Sequence, residues 1–101
     1  MVKLISITPS TNTKNKYTAK FDIDGKTKTT QFGAKGYNDF TIYSKGDKTI
    51  AEKKKEAYIA RHKVTEDWRD PTGAGTLSRY ILWNKPTFEA SLADYKKRFN
   101  L

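Results

Sequence analysis

Between Tyr17 and Ile23 apolar and polar side chains alternate without interruption: Tyr17, Ala19, Phe21 and Ile23 to one side, Thr18, Lys20 and Asp22 to the other. A period of two marks a half-buried strand. Asp24-Gly25 follows, a pair that tolerates the positive φ of a tight primed turn. Residues 26–32 then return as a strand rich in threonine. A two-residue turn sets Phe32 opposite Tyr17 and Thr30 opposite Ala19. It also leaves Lys26 and Lys28 on the apolar side near the turn, where their stems must snorkel to water. Val2, Leu4 and Ile7 supply an earlier strand, ended by Pro9 and the polar loop of residues 10–16. The pattern predicts a three-stranded antiparallel meander over about 2–8, 16–23 and 26–33.

The glycine- and asparagine-rich residues 33–39 read as a loop, and Phe40-Thr-Ile-Tyr43 as a short strand or an anchored loop. Asp47 is placed to cap a helix over 48–62. On that helix Lys54 and Arg61 fall on the same line as Ile50 and Ala57, a poor stripe for facing a core. Such a helix is held at a few points, of which Ile50, Tyr58 and Ile59 are the candidates. Residues 65–71 connect to a second helix over 72–84, started by Asp70-Pro71 or Thr72. From Leu77 to Trp83 only Ser78 and Arg79 interrupt the apolar side chains. A helix apolar nearly all round is a buried one. Pro86 stops it and Thr87 caps a third helix over 87–100, where Phe88, Leu92, Tyr95 and Phe99 form one narrow stripe. These positions make a single α+β domain, with most of its aromatic side chains inside.

Composition adds a demand that the pattern alone does not. Among 101 residues, twenty Lys and Arg face eleven Asp and Glu, a formal charge of +9. The excess is +5 up to residue 50 and +4 beyond it, so it is no basic tail. A positive field on so small a body favours polyanions, nucleic acid before anionic membranes or acidic proteins. With no cysteine, disulfides and thiolate metal sites are excluded. The opening MVKLISI carries too short an apolar run for a signal peptide, and no run has membrane-spanning length. Cytosol, nucleus or a viral factory is the expected location, with no membrane partner.

An ordered series of motifs carries a resemblance. Residues 58–62 (YIARH), 68–71 (WRDP), 74–87 (AGTLSRYILWNKPT) and 94–99 (DYKKRF) follow DIDGK at 22–26 and FGAKGY at 32–37. Together, over roughly residues 17–99, they resemble a family of small basic uncharacterised proteins encoded by large double-stranded DNA viruses of algae and amoebae, the giant viruses. The resemblance implies a viral origin and, from suspected abundant virion members, a place in the virion core or the viral factory in the host cytoplasm. It carries over no catalytic residue.

The chemistry-bearing candidates are Lys53, Lys54, Lys55, Arg61 and Lys63 on one helix, Lys96, Lys97 and Arg98 at the end of another, and Arg79 alone on the apolar helix. Cations so placed neutralise phosphates and release counterions, giving affinity independent of sequence. A solvated face, or cations complementing a helix C-terminus, is the competing reading. Tyr17, Phe21 and Phe32 beside Lys20, Lys26 and Lys28 could make a stacking platform, but three strands need one face covered and these rings are the natural cover. Glu66, Asp67 and Asp70 with His62 are residue types permissible for Mg²⁺ and nuclease chemistry, though carboxylates ahead of a helix commonly cap it. No catalytic residue, metal ligand or cofactor is assigned. The expectation is a non-enzymatic protein that binds nucleic acid without sequence reading, DNA in preference to RNA, and coats or condenses the genome. The alternative is a structural virion protein, a minor capsid or scaffold component, binding acidic surfaces of other virion proteins. Either leaves room for a homo-oligomer.

Overall fold

Asp24 and Gly25 adopt φ of 53° and 87° in the computed structural model, which describes residues 1–101. That double left-handed turn suits Asp-Gly because neither residue is penalised there as a bulky one would be. It joins β2 (Asn15–Ile23) to β3 (Lys26–Ala34), and Asp22 accepts the Gly25 N–H at 2.8 Å to brace it. The register places Tyr17 opposite Phe32 and Ala19 opposite Thr30, as the alternation requires. β1 (Val2–Pro9) pairs antiparallel with β2, completing a sheet of order β1-β2-β3. Between Leu4 and Ser6 the register slips: Leu4 opposes Phe21 and Ser6 opposes Lys20. Ile5 is the extra residue of this bulge and is left 56% exposed.

Four helices follow. α1 (Phe40–Tyr43) is a single turn where an extended segment or loop was expected. The reason is Asp39, whose Oδ1 accepts the Ile42 N–H at 3.2 Å and caps the turn. α2 (Lys48–His62) has the expected bounds and its cap, with Asp47 Oδ1 accepting from Thr49 and Ile50. Its anchors differ in part. Tyr58 is buried and Ile59 half-buried, but Ile50 is 50% exposed, and Ala51 takes the inward place. A helix without a clean stripe lets the small residue approach closest, and the branched one then points away.

The second predicted helix begins two residues later than expected. Asp70 accepts the Thr72 N–H and hydroxyl at 2.9 and 2.8 Å, closing a turn around Pro71, and α3 (Ala74–Leu77) starts after Gly73. It runs on into a π-helical turn over Ser78–Leu82, in which the Trp83 N–H reaches back five residues to the Ser78 carbonyl at 3.0 Å. α4 (Phe88–Phe99) is capped by Thr87, which accepts from the Ala90 N–H. At its end Asn100 turns left-handed at φ 56°, so the Leu101 N–H closes on the Lys96 carbonyl at 2.8 Å.

α3, the π-helical turn and α4 cover one sheet face, while α2 packs against α1. Ala19, Phe21 and Phe32 from the strands meet Leu77, Ile81, Leu82 and Tyr95 in one buried cluster, with Tyr17, Tyr80, Trp83, Phe88, Leu92 and Phe99 packed around it. Gly33, at φ 76°, lies where the π turn crosses β3, and any side chain there would strike Leu82. No helix is long and apolar enough to cross a membrane.

Candidate nucleic-acid interface

The nine candidate cations divide into two groups. Lys53, Lys54, Arg61 and Lys63 on and just beyond α2, with Lys96 and Lys97 on the last turn of α4, are exposed and make no ion pair. Helix α2 lacks an apolar stripe, so its lysines ring it and reach water on several sides. The other three are engaged by the protein itself, on aromatic rings, main-chain carbonyls and a carboxylate. Lys55 donates from Nζ to the Asn84 carbonyl at 2.8 Å and sits 4.7 Å over the Phe40 ring. Arg79 donates from one terminal nitrogen to the Trp83 carbonyl at 2.7 Å, its guanidinium carbon 5.6 Å from the Trp68 ring and 5.0 Å from the Tyr80 ring. Arg98 lies 4.5 Å over Tyr80 and pairs with Asp94 at 3.2 Å.

These contacts give the three a structural task. Carbonyls 83 and 84 terminate the α3 segment, where the chain breaks towards Pro86, and two cations satisfy them where further N–H groups would otherwise be. Burial lowers the pKa of both Lys55 and Arg79. A guanidinium between aromatic faces gains cation–π attraction in compensation. Of the nine candidates, Lys53, Lys54, Arg61, Lys63, Lys96 and Lys97 remain exposed without an ion pair, Lys54 lying 5.9 Å over the Tyr43 ring.

The acidic group before α3 does not form a shared site. Asp67 pairs with Arg69 at 2.9 Å, Asp70 is occupied by Thr72, and Glu66 takes His62 Nδ1 and Trp68 Nε1, each at 3.2 Å. No cluster of three His, Asp or Glu side chains is close enough to hold a metal. The sheet rings are likewise occupied. Phe21 and Phe32 are fully buried, and Tyr17 is stacked between Phe32 and Phe88 at 5.7 and 5.2 Å.

A different aromatic arrangement borders solvent. Trp83, Tyr58 and His62 form a continuous stack: Trp83 and Tyr58 are parallel within 6° at 4.6 Å, and Tyr58 and His62 lie 4.3 Å apart. All three line an open cleft of about 440 Å³ between the β2–β3 strand ends, the C-terminal half of α2 and the start of α3. Lys14, Arg61 and Tyr37 stand on its walls. Its carboxylates are already engaged, Glu66 as above and Asp39 by Lys16 Nζ at 2.5 Å. Trp83 packs against the core as its sequence pattern implies and also borders this cleft, whereas no pattern in the sequence marked Lys14 or Tyr37. The available signal was Tyr37 itself, an aromatic between Gly36 and Asn38 in a loop whose composition gives it nothing to pack against.

No family model, no curated protein and no solved structure matches the chain.

Proposed function

We propose that this protein is a non-enzymatic nucleic-acid-binding protein that grips phosphates through exposed lysines and arginines without reading sequence. One observation carries the reading. Of the twenty lysine and arginine side chains, only Lys16, Arg69 and Arg98 lie within ion-pair distance of a carboxylate. The remainder keep their charge unneutralised by the protein itself, so a phosphate backbone can replace their counterions. Lys53, Lys54, Arg61, Lys63, Lys96 and Lys97 are the contacts. Taken with the resemblance to giant-virus proteins, the substrate is genomic DNA, coated or condensed in the virion core or the viral factory.

Electrophoretic shift of duplex DNA at low salt, followed by salt titration, tests it. If about four to six phosphates are contacted, log affinity falls against log salt with a slope near −4 to −5. Absence of a shift at low salt, or a flat salt response, refutes the reading. Pull-down from virions separates it from a role as a scaffold on acidic proteins. Nuclease-sensitive co-purification supports nucleic acid, and nuclease-insensitive partners assign the free cations to protein surfaces instead.

A further inference from the structure

We infer that the cleft beside the Trp83–Tyr58–His62 stack takes an unpaired base, so that a single strand gains a base contact in addition to the phosphate contacts it shares with duplex. This rests on the phosphate-binding reading above and adds to it a site for the base.

The stack is closed at its inner end by Tyr43, 6.2 Å from Trp83, and ends outward at His62, whose side chain is 32% exposed on the cleft. Glu66 holds the His62 ring through Nδ1 at 3.2 Å, fixing its orientation. The ring is therefore a preset platform rather than a mobile side chain. Tyr37, 73% exposed, borders the same cleft from the loop between β3 and α1. Base–aromatic stacking tolerates any base, because each presents a π face. About 440 Å³ is within the range of small-ligand sites and accommodates one nucleotide.

The charge on the walls suits the rest of that nucleotide. Lys14 and Arg61 are exposed, line the cleft and have no carboxylate partner. Both acidic side chains there already accept hydrogen bonds from cationic or N–H donors. A phosphate thus finds free cations beside a ring platform, the pairing of features by which single strands are held. In a duplex the bases are stacked on each other and cannot enter.

Fluorescence anisotropy at fixed low salt tests this with three probes of equal length, about sixteen nucleotides: a mixed-sequence single strand, its duplex, and an abasic single strand. The single strand should bind about tenfold tighter than the abasic strand. Tyr37→Ala and His62→Ala should each remove most of that gap while leaving duplex and abasic affinities nearly unchanged. Tyr37 is 73% exposed and is not among the side chains packed on the core, so its variant remains folded even if His62→Ala loosens α2. Equal affinity for normal and abasic strands, or a gap that survives both variants, overturns the inference while leaving phosphate binding intact. Failure of all three probes to bind overturns both.

Discussion

Trp83 lies flat against Tyr58, ring centroids 4.6 Å apart and planes within 6°. Tyr58 lies on α2 and Trp83 directly follows the π-helical turn, and their stack, together with Lys55 on the Asn84 carbonyl, fastens α2 to the rest of the protein. Helix α2 offers little else, since its mean composition is polar and only Ala51 and Tyr58 are buried. Losing the stack should therefore release a whole helix. Trp83→Ala is expected to lower stability by about 3 kcal/mol, measured by urea denaturation. Tyr58→Phe should cost under about 1 kcal/mol, because the stacked ring remains.

Asp39 and Lys16 make a second long-range tie. Asp39 is 3% exposed and accepts from Lys16 Nζ, the Thr41 hydroxyl and the Ile42 N–H. Asp39→Ala leaves the half-buried Lys16 ammonium unpaired and the α1 turn uncapped, an expected loss of about 3 kcal/mol. Lys16→Met, which keeps the stem packing, should cost less than Asp39→Ala in the same denaturation assay, since Asp39 retains two donors.

Two glycines separate backbone strain from collision. At Gly25, φ is 87° and a new Cβ meets nothing within 4 Å, so Gly25→Ala should cost about 1 kcal/mol from the left-handed backbone alone. At Gly33, φ is 76° and the Cβ would come 2.8 Å from Leu82 Cδ1 and 3.2 Å from Lys16 Cβ. Gly33→Ala should lose at least about 1 kcal/mol more than Gly25→Ala, the cost of forcing a packed core. Thermal melting of the two variants side by side gives the difference.

Acid should destabilise the protein through particular carboxylates. The Asn84 amide, 2.7 Å away, and then Arg98 hold Asp94 below the ordinary carboxylate range, and the Thr72 N–H and hydroxyl do the same for Asp70. A depressed folded pKa adds stability that is present above the unfolded value, about 3.9, and is lost as pH falls through the folded value. Urea midpoints should accordingly hold steady down to about pH 5 and drop below about pH 4. Asp94→Asn should shallow that drop and lower stability at neutral pH by about 1 kcal/mol.

At the alkaline end the sign reverses in origin. Burial raises the pKa of Tyr58, Tyr95 and Tyr17 above the usual tyrosine value. The Tyr95 hydroxyl also donates to the Pro71 carbonyl at 2.5 Å, a bond the phenolate cannot make. Stability from these groups is complete below about pH 10 and falls as pH rises beyond it. An absorbance titration should show part of the tyrosinate signal appearing only together with loss of secondary structure.

Much of this molecule is encoded by neighbours in the chain. Alternation from Tyr17 to Ile23, the Asp-Gly turn, the Asp47 and Thr87 caps and the α4 stripe each express a local preference, and the meander and two of the helices emerge with nearly the predicted bounds. The one-turn helix at Phe40 was harder to see, because four residues are too few for a period and only the Asp39 cap marks it. Tertiary structure alone decided which cations stay free. Lys55 is spent on a carbonyl 29 residues away, and Lys16 on a carboxylate 23 residues away. The same is true of the cleft, whose walls come from β2, β3, α2 and α3. A side chain's local pattern says which way it points from its own element, but its partner depends on which other element folds opposite, and no short window of residues contains that.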